Sequence, residues 1–470
     1  MTRISPLDLS FLLLERPTRP FHMAAMTIFQ KPKGQQSSFG PRLFDAYRNS
    51  TAVKPFNYRL KWLGKNVAAW ETVEPDMRYH IRHIELPAPG SMQQFYETVS
   101  FLNAGLLDRG QPLWECYIID GIANGRIAVM IKVHHALIDG EGGLRVMRNF
   151  MSDSPRDKTL AGPWMALEDK PRRSRPSVSQ IQRLQSMLKG LTKLPGDVIG
   201  LGTDALDLGV QSLNLKPRAA SLPFTARHTL FNNTAKSAAR AYANTELPLA
   251  DVKAVAKATD TSVNDVVMTV IDDALHHYLR EHRAATDRPL VAFMPMSLRD
   301  ESGGGGGNQV SAELVAMGAP EAGLGERLKQ INRATQQAKD KGRRMQTTSR
   351  QAYALLLFAS QTMSDLPWFG KAPSANLVIS NMKGPAEQLY LAGAPLVEFT
   401  GLPILPPGAG LNVTFASVNK DIGIGIGAAP EAVNEPFRLA ELIDQSFHQL
   451  QADTGVIGAS SMPQPIRRTP

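Results

Sequence analysis

One short stretch, an apolar strand that runs into a pair of histidines, constrains this chain more than any other feature. Residues 127–131 are all apolar and predict a buried β-strand. His134 and His135 follow, and Asp139-Gly140 then opens a glycine-rich loop in which the backbone can turn sharply. Neighbouring side chains of an extended segment point to opposite faces. We therefore expect only one of the two imidazoles to face a given cavity.

The histidine pair has two chemical interpretations. An imidazole is the side chain best suited to move a proton near neutral pH, and Asp139 could hold either the ring or the loop that carries it. Alternatively, His134, His135 and Asp139 could bind a metal ion, although the opposite directions of neighbouring side chains argue against this. A second pair, His276-His277, has no Asp-Gly at the same spacing, and we interpret it as surface.

The composition is that of a globular protein large enough for two domains. The 470 residues are 43% hydrophobic and 20% charged. The single cysteine, Cys116, excludes an internal disulfide and a cysteine-based metal site, and is typical of a reducing cytoplasm. The net charge of +9 fits an anionic lipid surface, an anionic co-substrate, or a basic surface with no partner. Because nucleic-acid motifs are missing, we expect no nucleic-acid partner.

No stretch of the sequence predicts a signal peptide or a membrane-spanning helix. The apolar run 11–14 lies between Asp8 and Glu15 and is too short for a signal peptide. The longest uncharged stretch, 399–419, contains prolines and glycines that exclude a spanning helix. We expect a cytoplasmic protein, which peripheral attachment to the inner membrane or to lipid bodies would still allow.

The chain divides into two halves and a linker. We predict an N-terminal half at 1–168, a basic linker with an amphipathic helix at 169–224, a C-terminal half at 225–457 and a disordered tail at 458–470. The linker helix could dock on a lipid surface, or it could pack between the two halves. The second interpretation is favoured because apolar stripes at helical spacing usually face a core.

Several further motifs occur in a fixed order around the histidine pair. They are Pro112-Leu113-Trp114, Asn264-Asp265, the Pro-x-Ser-x-Arg element at 295–299 and Ser-Asn-x-x-Gly-Pro at 380–385. Together with the HHxxxDG pattern at 134–140, they resemble the bacterial wax ester synthase/diacylglycerol acyltransferase family of the CoA-dependent acyltransferase superfamily. The resemblance covers nearly the whole chain outside the linker and the tail.

The resemblance implies a fold, a reaction and a set of partners. The fold would be α/β (of the α+β kind), with two chloramphenicol-acetyltransferase-like sandwich halves that have mixed sheets, a linker helix joining them, and a tunnel between them. The reaction would be transfer of a long-chain fatty acyl group from acyl-CoA, a co-substrate, to a long-chain alcohol, which gives a wax ester. Diacylglycerol would be a second acceptor. Neither a cofactor nor a metal ion would be needed.

The resemblance also implies roles for individual residues. His135 would be the general base, His134 would support it, and Asp139 would pair with an arginine, either Arg59 or Arg299. Among candidates for the oxyanion donor, Asn264 is preferred to Ser297 and to the backbone amides near Gly140. The substrate-binding residues would be Gly140, Trp114, Ser297 and Arg299, although Trp114 could instead fill the core beneath the site.

Two other functions remain open from the sequence. The chain could be a non-catalytic lipid-surface protein that keeps the same fold. It could also be a condensation-type acyltransferase that uses carrier-protein thioesters, although the sequence shows no neighbouring carrier domain.

Overall fold

The computed structural model describes most of both halves. The described residues are 2–4, 6–64, 67–138, 148, 150–165, 223–297, 310–344, 353, 357, 360, 373–382, 384–385, 387–402 and 404–456. The predicted linker helix, the predicted tail and most of the helix expected after the histidine loop lie outside these residues.

The described residues form helices and strands throughout both halves of the chain. The helices are α1 (Pro6–Leu14), α2 (Phe39–Arg48), α3 (Met77–His80), α4 (Met92–Ala104), α5 (Leu249–Ala258), α6 (Val263–Glu281), α7 (Leu324–Arg344) and α8 (Pro436–Asp453). The strands are β1 (Thr2–Arg3), β2 (His22–Gln30), β3 (Tyr58–Gly64), β4 (Val67–Thr72), β5 (Ile81–Glu85), β6 (Trp114–Ile122), β7 (Arg126–His134), β8 (Ala241–Pro248), β9 (Val291–Ser297), β10 (Val310–Ala316), β11 (Leu377–Met382), β12 (Tyr390–Leu391), β13 (Ala394–Leu402), β14 (Leu411–Val418) and β15 (Asp421–Ala428).

Two six-stranded mixed sheets organise the molecule, as predicted. The first has the order β12-β13-β2-β7-β6-β5, and its β5–β6 pair is parallel. The second has the order β10-β9-β11-β14-β15-β8, and β11 runs parallel to both of its neighbours. A small sheet, β1-β4-β3, lies beside the first.

Strand β7 is buried on both faces. Ile127, Val129, Ile131 and Val133 lie in one apolar cluster, and Ala128 and Met130 lie in another on the opposite face. Because both faces are covered, the strand reads as a continuous apolar run rather than as an alternating one. Its position is therefore fixed up to its last residue, which is His134.

Helix α6 is the central helix of the second half and packs against α5, α7 and α8. This packing corrects one prediction. His276 is buried, with an exposed fraction of 2%, and its Nε2 lies 3.7 Å from Asp272 on the next turn, whereas His277 is exposed. His276 was expected at the surface, but α7 covers its side of α6 and brings the buried Arg327 to Asp272.

Two strands from the second half of the chain complete the sheet of the first half. Residues 390–402 belong to the predicted C-terminal half, yet β12 and β13 extend the first sheet, where β13 pairs with β2. The other face of β13 lies against the alternating glycines of β15. A Cβ atom added at Gly425 would lie only 2.7 Å from Thr400 Cγ2. The sheets can approach this closely only because side chains are missing at that face.

Among the described residues, the helices are either too short or too polar to cross a lipid bilayer.

Candidate active site

The histidine pair lies where β7 ends and its loop begins. The backbone amide of His134 donates to the carbonyl of Leu113 (3.0 Å), and that of His135 donates to the carbonyl of Phe21 (2.9 Å). The amide of Leu137 then donates to the carbonyl of His134 (2.9 Å), which closes the turn. The backbone on both sides of the pair is therefore held by neighbouring strands and segments.

His134 points into the protein and both of its ring nitrogens face protein groups. Its Nδ1 accepts a hydrogen bond from the backbone amide of Ala136 (3.0 Å), and its Nε2 lies 3.4 Å from Glu15 Oε1. Because Nδ1 is an acceptor here, the ring proton sits on Nε2. His134 is thus hydrogen-bonded at Nδ1 and faces a carboxylate at Nε2. This geometry fits the supporting role.

His135 contacts the same N-terminal segment as His134, but through a different residue. Its ring is partly exposed and lies 4.7 Å from the ring of Phe11, with the two planes inclined by 55°. Phe11 itself packs 5.6 Å from Phe21, between centroids. An apolar wall thus flanks the imidazole that was predicted to be the base.

Glu15 is a site residue that the sequence did not reveal. Its Oε1 accepts the backbone amide of Phe21 (3.0 Å), its Oε2 accepts from Arg109 (3.1 Å), and the side chain is 2% exposed. Burial alone would raise the pKa of Glu15, but the contacts with His134, the Phe21 amide and Arg109 outweigh it and lower the pKa to about 2. A carboxylate just past the end of α1 also opposes the helix dipole, which is the one signal in the sequence that could have drawn attention to it.

Two buried titratable groups complete the surroundings of His134. His22 pairs with His134 across β2 and β7, and its Nε2 donates to the carbonyl of Asn103 (2.8 Å). Burial lowers the pKa of His22 to about 3. Lys132 donates to the carbonyls of Leu102 and Gly105 at the end of α4, and burial lowers its pKa to about 8.

Trp114 lies in the core directly below the histidine strand. It has no exposed surface, its Nε1 donates to the carbonyl of Phe56 (2.7 Å), and its ring stacks on those of His80 and Trp164. Its neighbour across the sheet is Val133. These contacts support the packing role for Trp114 rather than direct contact with substrate.

The second half contributes residues from one edge of its sheet. Asn264 lies in the first turn of α6, where Asn381 Nδ2 donates to its Oδ1 (3.3 Å) and its own Nδ2 lies 3.2 Å from Met268 Sδ. Ser297 ends β9, whose parallel neighbour β11 carries Asn381 near the same end. The carboxyl ends of parallel strands commonly line binding sites. Asn264, Asn381 and Ser297 are therefore brought to one edge.

The Asn-Asp motif has two separate roles. Ser262 is the N-cap of α6, and Asp265 is fully buried and accepts from Ser262, Asn332 and Thr335. Asp265 is thus part of the helix framework, whereas Asn264 is only partly buried.

The histidine loop lies at the junction of the two halves. Ala136, Leu137 and Ile138 share one apolar cluster with Ala416 and Val418 of β14, and Met382 at the end of β11 packs against the same cluster. The loop that carries His135 therefore shares one apolar cluster with the half that carries Asn264.

Three of the predicted site residues lie outside the described residues: Asp139, Gly140 and Arg299. Arg59 is engaged in an ion pair with Glu71 (2.8 Å) on the neighbouring strand. The partner of Asp139 thus stays a prediction, as does the tunnel, because part of its expected surroundings lies in the same undescribed segments. Within the described part of the chain, no group of three histidine, cysteine or acidic residues is arranged to bind a metal ion.

Comparison with protein families gives a direct match. A model of the wax ester synthase/diacylglycerol acyltransferase catalytic domain matches residues 4–267, and a model of the C-terminal domain of the same family matches residues 306–451. The chain belongs to this acyltransferase family. Since the catalytic model extends to residue 267, it includes both the histidine pair and Asn264.

Individual proteins support the same membership. The chain is 74% identical over 462 residues to a putative diacylglycerol O-acyltransferase of Mycobacterium bovis, an alignment that covers 97% of this chain and 98% of that protein. A probable diacylglycerol O-acyltransferase of Mycobacterium tuberculosis is similar to the same extent.

Solved structures show the same fold. A wax ester synthase/diacylglycerol acyltransferase from Marinobacter aquaeolei VT8 matches with a TM-score of 0.77 and 25% identity, over 97% of this chain and 100% of that one. The first condensation domain of the calcium-dependent antibiotic synthetase matches with a TM-score of 0.54 at 12% identity, over 96% of each chain. The similarity to the condensation domain concerns the fold alone. Both structural matches agree with the predicted fold class.

Proposed function

We propose that the protein transfers a long-chain fatty acyl group from acyl-CoA to a long-chain alcohol, as a wax ester synthase, and to diacylglycerol, which gives triacylglycerol. The observation that carries this proposal is the position of His135. This partly exposed residue places its ring beside apolar Phe11, on a loop whose apolar residues share one cluster with residues of both halves of an acyltransferase fold.

The chemistry needs a base but no covalent acyl-enzyme. In this proposal the imidazole of His135 accepts the hydroxyl proton of the acceptor while the oxygen attacks the thioester carbonyl carbon. The tetrahedral intermediate then collapses, the carbon–sulfur bond breaks, and the CoA thiolate leaves and takes the proton back from the imidazolium. Ester and free CoA are the products, and His135 returns to its neutral form.

Asn264 is proposed as the donor to the oxyanion of the intermediate. Asn381 donates to its Oδ1, so Nδ2 is the end of the amide that can donate to another group. The partner of Nδ2 in the described residues is the sulfur of Met268, a weak acceptor that an oxyanion would easily replace. Donors placed in advance at a developing negative charge often supply the largest part of catalysis.

The two acceptors rest on different comparisons. The mycobacterial relatives are named diacylglycerol O-acyltransferases, and the Marinobacter structure is named for both activities. The apolar side chains beside His135 suit both a long-chain alcohol and diacylglycerol, because each molecule carries a hydroxyl group on a largely hydrophobic structure.

The test is release of CoA from palmitoyl-CoA by the purified protein, with hexadecanol and with diolein as acceptors and with the esters separated by chromatography. We expect both esters, in proportions that the assay determines. Absence of CoA release with both acceptors overturns the proposal and favours a non-catalytic lipid-surface protein. Transfer from a palmitoyl carrier protein but not from palmitoyl-CoA overturns it in favour of the condensation-type alternative.

We also propose that one face of the first half contacts an anionic lipid surface. Four large apolar side chains at the ends of α1 and α4 are exposed: Leu13, Leu14, Phe101 and Leu106, with exposed fractions from 40% to 80%. Arg109 donates to the carbonyl of Leu12, and Lys132 donates to that of Leu102, so both helix ends are tied to the surroundings of His134. Lipid-soluble acceptors would then reach the site from the surface in which they are dissolved.

Flotation with vesicles tests this contact. The protein should float with vesicles that contain anionic phospholipid and less with neutral ones, because its net charge is +9. Phe101→Asp should reduce the bound fraction several-fold, whereas Val53→Asp, at another exposed apolar residue, should not. Equal binding by the Phe101 variant and the native protein contradicts this assignment of the surface.

A further inference from the structure

We propose that Glu15 is a positioning residue for the catalytic base, because its carboxylate binds the two groups that hold the backbone on either side of His135. This inference rests on the proposed function of His135. It assigns a catalytic contribution to a residue 120 positions earlier in the chain that does not itself reach the substrate.

The first of these groups is the peptide of Phe21. Its amide donates to Glu15 Oε1 (3.0 Å), and its carbonyl accepts the amide of His135 (2.9 Å). A single residue thus connects the carboxylate to the backbone nitrogen of the base. If Glu15 is removed, the Phe21 amide loses its buried partner and the acceptor of the His135 amide can shift.

The second group is the ring of His134. Glu15 Oε1 faces its Nε2 at 3.4 Å, and this carboxylate favours the tautomer that carries its proton there. The other nitrogen, Nδ1, is then free to accept the amide of Ala136 (3.0 Å), the residue that follows His135. The same carboxylate oxygen thus supports the amides on both sides of the base.

The helix that carries Glu15 contacts the base directly as well. Glu15 directly follows α1, and its backbone amide donates to the carbonyl of Phe11, four residues earlier (3.1 Å), which continues the helical hydrogen-bond pattern. The ring of Phe11 lies against the ring of His135, while Glu15 faces the ring of His134. One helix end therefore positions both imidazoles of the pair.

The charges around the carboxylate determine the sign of its electrostatic effect. Arg109, from the segment after α4, donates to Oε2 of Glu15, and His22 of β2 and Lys132 of β7 are buried nearby. Lys132 in turn lies 3.8 Å from Glu115. The negative charge of Glu15 favours the protonated form of a nearby imidazole, and the positive charge of Arg109 opposes it.

The test compares pH–rate profiles of variants in the CoA-release assay. Glu15→Gln should lower kcat about tenfold, the effect of one lost charged hydrogen bond, with little change in the KM for palmitoyl-CoA. It should also move the acidic limb of kcat/KM to lower pH, since a negative charge near the base is lost. Arg109→Met should move that limb in the opposite direction. Glu15→Asp keeps the charge and should return the limb towards the native position.

A matched control separates positioning from stability. Glu313 is also a buried carboxylate with a cationic partner, Lys341 at 3.1 Å, but it lies on β10 in the other half. Glu313→Gln should lower the melting temperature and leave the acidic limb in place. If Glu15→Gln behaves in the same way, with kcat and the limb unchanged, Glu15 is structural and the inference is overturned.

A second readout does not depend on activity. In nitrogen-15 spectra of histidine-labelled protein, with His134 assigned by a His134→Gln variant, native His134 should carry its proton on Nε2. Glu15→Gln should reduce the population of that tautomer. An unchanged tautomer in the variant overturns the inference. Absence of CoA release by the native protein would instead overturn the proposed function, which keeps the two failures distinct.

Discussion

The two histidines of the pair differ in burial because strand β7 ends between them. His134 is the last residue of β7 and is buried between protein groups, whereas His135 begins the turn and is partly exposed. The His134 ring is hydrogen-bonded at Nδ1 and faces the Glu15 carboxylate at Nε2, so it is enclosed by protein groups. Exposure therefore favours His135 over His134 as the proposed base.

Replacement of His135 tests its role as the base. His135→Ala should reduce turnover by at least ~10²-fold, because the acceptor hydroxyl then has no positioned group to take its proton. Circular dichroism and the melting temperature should change little, since the ring is partly exposed. A correctly folded variant that keeps the full rate would refute the assignment.

His22 should make the fold sensitive to acid. Its pKa is about 3 in the folded protein and close to the ordinary 6.5 in the unfolded chain, so the unfolded state binds the proton first as pH falls. The free energy of unfolding should then decrease below about pH 6.5, by up to about 1.4 kcal/mol per pH unit from this group. His22→Gln should reduce that slope in urea titrations between pH 7 and pH 4. An unchanged slope would contradict the burial effect.

At the scale of elements, helix α6 carries both a proposed catalytic residue and a structural one, and strand β15 provides the contact between the two sheets. The first turn of α6 holds Asn264 at the sheet edge, and Asp265 closes the capping box with Ser262. Strand β15 presents glycines to β13, so one element brings the two sheets together.

Substitutions at the two residues of the Asn-Asp motif should have different effects, one on turnover and the other on stability. Asn264→Ala should lower kcat about 10²–10³-fold, as removal of an oxyanion donor does, with the melting temperature nearly unchanged. Asp265→Ala leaves the buried hydroxyl of Thr335 and the partly buried amide of Asn332 without their acceptor and should lower the free energy of unfolding by about 1–3 kcal/mol. Kinetics and urea unfolding of both variants check this. Loss of stability in the Asn264 variant equal to that in the Asp265 variant would contradict the division of roles.

The glycine face of β15 gives a prediction about packing. Gly425→Ala places a Cβ 2.7 Å from Thr400 Cγ2, and Thr400 is held by its contact with Glu398, so we expect a loss of about 1–3 kcal/mol. Gly423→Ala is the matched control, because its Cβ would lie at an ordinary 3.4 Å from the carbonyl oxygen of Phe399. Its stability should stay within about 0.5 kcal/mol of the native protein. Urea unfolding of the two variants measures the difference, which would vanish if the sheets could move apart freely.

At the scale of the whole molecule, the first sheet is completed by the second half of the chain. Strand β13 covers the edge of β2, the strand next to the one that ends in His134. An uncovered nine-residue edge is a site for pairing between molecules. The active-site strand therefore depends on a segment more than 250 positions away in the sequence.

Fragments should show this dependence. Residues 1–168, the predicted N-terminal half, should aggregate or elute as large particles in size-exclusion chromatography, because β2 lacks its partner. The same fragment fused through a flexible linker to residues 387–402 should recover a larger monomeric fraction. A monomeric 1–168 fragment with a cooperative unfolding transition would show that the half folds without β13.

The sequence by itself determined the elements and the chemistry that they carry. The strand before His134 lies where its apolar run placed it. This feature follows from local periodicity, which a chain carries in its own order of residues. The family motifs, which are also read directly from the sequence, indicated the reaction.

Only the tertiary structure decided which distant residues meet. It brought Glu15 to His134, inserted β13 beside β2 and buried His276 against α7, and none of these contacts has a signal in residue spacing. The physical reason is that burial and electrostatic contacts depend on how elements pack, whereas periodicity reports only the face that one element presents. The sequence thus predicted His135 as the base, but it did not predict the contacts that hold the histidine pair in place.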